Sequence, residues 1–116
     1  MGVVQKNETP DKDLTAKVLD IAGLVEYQPG SVVSREIFKR NTSNITVFAF
    51  DEGQGLSEHT APFDAIVCIL DGIAEITVVG EAHTVKKGEM LIMPANKPHA
   101  LKAVEKFKMM LIMIRT

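Results

Sequence analysis

A chain of 116 residues has the size of one domain with one hydrophobic core. Its 13 basic and 15 acidic side chains give a formal charge of −2 and form no basic stripe, which argues against nucleic acid as a partner. No apolar run is long enough to span a bilayer, and no secretory leader pattern stands at the N-terminus, so no membrane partner is expected. The single cysteine, Cys68, excludes an internal disulfide and fits a reducing, cytoplasmic setting.

Residues 1–17 are polar and charged, with Pro10 among them, and are expected to form an N-terminal arm; the domain proper is expected over 18–116. From Val18 the pattern is short apolar runs between turn residues. Val18–Ile21 and Leu24–Tyr27 read as strands before the Pro29-Gly30 turn. Val32–Phe38, a polar turn over 39–44 and Ile45–Phe50 follow, ending at Gly53 and Gly55. Ala65–Leu70 stops at Asp71-Gly72, which reads as a hairpin turn. Ile73–Val79, Thr84-Val85, Met90–Met93, Ala100–Val104 and Met109–Ile114 complete the series, with Gly80 and Gly88 between. No segment sustains a helical period. Eight to ten short, β-branched strands with regular turns predict an all-β antiparallel sandwich or barrel. Ala65–Leu70 and Met109–Ile114 are apolar on both faces, so an interior must cover one side and a second sheet or subunit the other. Gly53-Gln-Gly55 lacks the third glycine and the following helix of a dinucleotide-binding turn.

Two glycine-anchored segments, 53–72 and 88–103, each carry one histidine and lie fifteen residues apart. The first places Gly53, His59, Ala61, Ala65 and Gly72; the second places Gly88, Pro94, Asn96, His99 and Ala103. At these spacings they resemble the two signature motifs of the cupin family. The first family motif is Gly, five residues, His, one, His, three or four, Glu, six, Gly. The second is Gly, five residues, Pro, one, Gly, two, His, three, Asn. The resemblance implies a jelly-roll barrel, the double-stranded β-helix of RmlC-like cupins, and a metal held by three histidines and one glutamate. Here alanines 61 and 65 stand at two of those four ligand positions. Asn96 replaces a glycine, as asparagine tolerates a left-handed backbone better than most residues.

Strand parity extends the motif into a pocket. With His59 facing inward, Ala61, Phe63, Ala65 and Val67 face inward too, joined by His99 and Leu101 from the second segment. Only His59 and His99 are left as metal ligands, and two are fewer than a zinc or non-haem iron site uses. Glu58 and Asp64 are out of phase with His59, and a bulge near Pro62 would be needed to bring Asp64 round. The pair therefore reads as hydrogen-bonded neutral imidazoles, as ligands to a weakly bound divalent ion (Fe, Mn, Ni or Zn) completed by water or substrate, or as direct contacts to a ligand. No cofactor is firmly implied. Five of the six methionines lie in the last third of the chain. Methionine usually fills apolar space, and a soft Cu(I) site is the chemical alternative. Cys68 falls on the parity opposite the histidines, and His83 reads as a solvated side chain near a turn.

These residues support two leading readings. One is a small barrel that binds a small molecule in its cavity, with an incomplete metal site and a non-catalytic or regulatory role. The other is a divalent-metal-dependent enzyme of dioxygenase or isomerase type using His59 and His99. A barrel with a vestigial pocket is the third. The surplus of apolar strand surface predicts a homodimer, and the resemblance places Val18–Phe38 at its contact.

Overall fold

Alternating burial along the strands sets the architecture. In β5 (Asp64–Asp71), Ala65, Val67 and Ile69 are buried while Ile66, Cys68 and Leu70 between them are half-buried. That period of two directs one face to an interior and the other outward. The computed structural model describes residues 4–8 and 14–116, with nine further strands among them. These are β1 (Val4–Glu8), β2 (Ser31–Arg40), β3 (Ser43–Phe50), β4 (Gly55–His59), β6 (Ile73–Val78), β7 (Glu81–Lys86), β8 (Met90–Met93), β9 (His99–Ala103) and β10 (Phe107–Ile114).

The strands form a six-stranded sheet in the order β1-β2-β3-β10-β5-β8 and a four-stranded sheet in the order β4-β9-β6-β7. Every pairing is antiparallel except β1 with β2, and the two sheets close on one interior as a jelly-roll barrel. Phe50 and Phe107 are register partners at its centre; their rings stack at 4.5 Å with an interplanar angle of 8°. Both are fully buried, as are Val67 and Ile76. Among the described residues no helix is long and apolar enough to cross a membrane.

Two local expectations change. Neither Val18–Ile21 nor Leu24–Tyr27 is a strand. Ile21–Leu24 is a single turn of 3-10 helix, in which the Gly23 N–H donates to the Asp20 carbonyl. The segment lays Leu24, Val25 and Tyr27 over Val33, Val47 and Ala49, on the outer face of the larger sheet. The Lys108 ammonium donates to Ala22 O at 2.6 Å and the Tyr27 hydroxyl donates to Asp71 Oδ2 at 2.6 Å, fixing the segment at both ends. Burial first, and then the Asp71 carboxylate, hold the Tyr27 phenol above its ordinary range, so it remains a donor. Apolar runs of four residues carry no period that separates a strand from a packed turn.

The second change is at Asp71-Gly72, which is not a hairpin. Strand β5 pairs with β10 and β8, whereas β6 pairs with β7 and β9, so the chain passes between sheets at Gly72. Gly72 has φ 76°, and a Cβ there would overlap the Lys106 carbonyl oxygen and stand 2.8 Å from Phe107 Cα. The dipeptide signals a left-handed backbone, not the identity of the strands it joins. Within the stretch expected as an arm, 1–17, β1 runs parallel to β2 from Val4↔Ser31 to Glu8↔Arg35; residues 1–3 and 9–13 of that expectation lie outside the described residues.

The tight hairpin at Gly80 joins β6 to β7 through Val79-Gly80, with Val78 opposite Glu81. Both turn residues are left-handed, φ 50° at Val79 and 77° at Gly80, as a type I′ turn requires. A β-branched residue is strained there, and Val79 is 60% exposed, so its side chain adds little burial in return. Val79→Asn is expected to raise the unfolding free energy by about 1 kcal/mol, read as a higher urea midpoint at unchanged slope.

Candidate functional site

The site begins with an irregularity in the pairing of β4 with β9. Gly55 lies opposite Lys102 and Leu56 opposite Leu101, a register that continued regularly would place Glu58 opposite His99. A bulge between Leu56 and His59 inserts one residue and makes His59 the partner of His99. Leu56 and His59 consequently share the inward face although three positions separate them. Glu58 is turned out and exposed.

Asn96 and Pro98 hold the second histidine. Asn96 takes φ 62°, the left-handed backbone expected of it, and its N–H donates to the Ala61 carbonyl at 2.8 Å. Val79 N–H donates to the Pro98 carbonyl at 2.9 Å. Asp64 supplies no ligand: its Oδ1 accepts the Ala95 N–H at 2.9 Å on the exposed side of the same loop. The bulge lies before His59 and leaves Asp64 outside the cavity.

His99 is 6% exposed and His59 stands at the exposed rim. Their rings meet edge to face, with centroids 4.4 Å apart and 69° between planes, and their Nε2 atoms are 3.2 Å apart. His59 Nδ1 lies 2.7 Å from Ser57 O, and His99 Nδ1 lies 3.2 Å from Lys97 O. A carbonyl oxygen only accepts, so each Nδ1 carries the hydrogen and each Nε2 keeps its lone pair. Burial, and secondarily the His59 charge, lower the basicity of His99; the Lys97 carbonyl works weakly against them.

Beneath the pair is a cavity of about 50 Å³. Of the residues expected to line it, His59, Ala61, Ala65, His99 and Leu101 do so. Val67 is fully buried within the interior cluster, and Phe63 lies beside the Arg115 guanidinium, 5.6 Å from its ring centroid. Neither borders the cavity. Leu56 of β4 and, from the larger sheet, Met93, Met109, Leu111 and Met113 complete the lining, so among the described residues the histidines are its only polar members. The methionines, read from the sequence as apolar filling or a soft-metal alternative, were not among the expected pocket residues, although the shared parity of Met109 and Met113 was the available signal. Cys68 is on the opposite face of β5, paired with Met110 and Met90. His83 lies on β7, beside the Val79-Gly80 turn, with Nε2 3.5 Å from Glu81 Oε1.

Residues 46–115 match the family model of the cupin domain. The chain belongs to the cupin family. A conserved protein of unknown function from Streptococcus pyogenes is 40% identical, with a TM-score of 0.86 over 94% of this chain and 96% of that one. A cupin superfamily protein from Desulfitobacterium hafniense is 29% identical, with a TM-score of 0.82 over 87% and 93%. A cupin 2 conserved barrel domain protein from Leptotrichia buccalis is 41% identical, with a TM-score of 0.81 over 84% of this chain and 47% of that one. No curated protein matches the chain.

Against the cupin pattern of three histidines and a glutamate, this barrel keeps two imidazoles and places methyl groups at the other two positions. Among the described residues no group of three or more His, Cys, Asp or Glu side chains could hold a metal ion. The four-ligand site therefore does not fit this chain.

The lowered basicity of His99 has a thermodynamic consequence. Folded His99 binds a proton less readily than the unfolded chain, whose histidine titrates near 6.5. Its contribution to stability is complete above that pH and declines as pH falls through it, because the unfolded state then takes up more protons. Urea unfolding in the presence of a chelator is expected to show lower stability at about pH 5.5 than at about pH 7.5, with a smaller difference in His99→Gln. Equal differences in the two proteins would contradict this assignment.

Proposed function

We propose that this cupin is a binding protein, non-catalytic or regulatory in role, that takes a small ligand in the cavity beneath His59 and His99. The observation that carries the reading is the chemistry of the lining. Ala61 and Ala65 occupy ligand positions, Glu58 and Asp64 are turned away, and only the two imidazoles are polar. A metal-dependent oxygenase site uses two histidines and a carboxylate, and here the carboxylate is missing from the cavity. Ligand pockets for larger organic molecules span about 300–1,000 Å³, so the cavity limits its occupant to a few atoms.

Metal analysis of the full chain purified without chelator tests this reading. Iron, manganese, nickel and zinc are each expected below about a tenth of an equivalent, because two imidazoles alone fall short of a stable site for them. Near-unit occupancy by one of these ions, lost in His59→Ala, would overturn the proposal in favour of the metal-dependent enzyme. That second reading has one observation behind it: Nε2 atoms 3.2 Å apart are close enough to share an ion.

We further infer a homodimer formed through the Val18–Phe38 region, where Val18, Ile21 and Phe38 remain 103%, 36% and 39% exposed. Sedimentation analysis is expected to give a dimer that Val18→Asp combined with Phe38→Asp converts to monomer; a monomeric parent protein would refute it. The sole cysteine remains the support for a cytoplasmic setting.

A further inference from the structure

The two imidazoles present a pairing problem. Each Nδ1–H is committed to a backbone carbonyl, Ser57 O for His59 and Lys97 O for His99, so the Nε2 atoms face each other as two acceptors at 3.2 Å. Two lone pairs cannot bond to each other; an electron-pair acceptor between them removes the conflict. Tetrahedral metal ions bind imidazole nitrogen at about 2.0 Å, and two such bonds with their nitrogens 3.2 Å apart enclose about 106°, close to the tetrahedral angle.

The cavity that the histidines border is also lined by an unusual row of side chains. Ala65 on β5 has Met93 of β8 as its register partner on one side and Met113 of β10 on the other. Cross-strand partners share a face, with Cβ atoms about 5 Å apart. Both methionines line the cavity with the histidines. The alanine that replaces the family's glutamate is therefore flanked by two long, flexible thioethers. Met109 also borders the cavity, but it pairs with Ile69, four positions along β5 from Ala65, and is left out of the set.

We propose that His59 Nε2, His99 Nε2 and the thioethers of Met93 and Met113 form a binding site for Cu(I), a soft monovalent ion. Imidazole with thioether and no carboxylate is a donor set that selects Cu(I) over the harder divalent ions. A single charge is also less costly than a double one in a cavity whose walls are otherwise alanine, leucine and methionine. The volume of about 50 Å³ accommodates an ion with no organic ligand. The Nδ1 contacts to Ser57 and Lys97 orient both rings, as metal-bound histidines require. This inference rests on the cavity being a ligand site and names the class of ligand.

The test is an anaerobic titration of the full, chelator-treated chain with Cu(I) in competition with bicinchoninate. One equivalent is expected to be withheld from the chromophore, with Zn(II) bound at least about 100-fold more weakly. Cys68→Ser should retain that stoichiometry. Met93→Leu combined with Met113→Leu, a swap that nearly conserves volume, should fold with a normal unfolding transition and bind Cu(I) at least about 10-fold more weakly; His59→Gln should weaken it about 100-fold or more. X-ray absorption of the loaded protein should show sulfur as well as nitrogen neighbours. Failure to withhold one equivalent, Zn(II) binding of equal strength, or wild-type affinity in the double methionine variant would each overturn the site. If Cu(I) is not retained and divalent metals are also below a tenth of an equivalent, only this inference falls. Unit occupancy by iron, manganese, nickel or zinc removes the binding-protein reading itself.

Discussion

Two sheets share a single apolar interior, and that condition governs every other feature of the molecule. Each strand must place one parity inward, so Ala65, Val67 and Ile69 come from β5, Phe107 and Met109 from β10, and Leu101 and Ala103 from β9. Each large apolar side chain fully buried there contributes about 1.5–3 kcal/mol. The stacked Phe50 and Phe107, both fully buried, pack the centre. Toward the His59 end the inward residues shrink to Ala61 and Ala65, and the cavity opens in the room they leave. Packing and site are thus two consequences of the same parity rule, separated only by side-chain size.

Within that frame the chemistry of the cavity follows from what surrounds the two alanines. Removing a carboxylate from the barrel interior removes a negative charge that would favour a hard cation. The neighbours of Ala65 across the sheet are thioethers, which are polarizable and weakly basic. The imidazoles are held with their lone pairs directed into the same space by carbonyls on their own strands. The occupant proposed for this cavity thus differs from the family's through side chains alone, with strand order unaltered, because turn glycines and cavity side chains have separate tasks.

The outer face of the larger sheet obeys the same accounting. Apolar residues on the outward parity of β2 and β3 are covered by the segment through Ile21–Leu24, which is secured by Lys108 and by the Tyr27–Asp71 hydrogen bond. Farther along that sheet, Met90 and Ile92 on β8 remain 55% exposed. A local turn thus covers this part of the outer face without a second sheet.

Much of the fold was legible before any coordinates. Gly53, Gly72, Gly88, Asn96 and Pro94 impose backbone conformations within a few residues of themselves, and such local constraints can be read from a sequence. The same spacing identified His59 and His99 as one pair and alanine as the replacement for two ligands. What the strands paired with was decided only in the folded chain. One inserted residue between Leu56 and His59 determines whether a glutamate or a histidine meets His99, forty residues away. Whether Asp71-Gly72 closes a hairpin or crosses between sheets depends on the positions of β10 and β9. The meeting of Met93 and Met113 on either side of Ala65 joins three separate strands. Register is a relation between distant segments, and a shift of one residue exchanges the faces of a strand; local propensity carries no record of it.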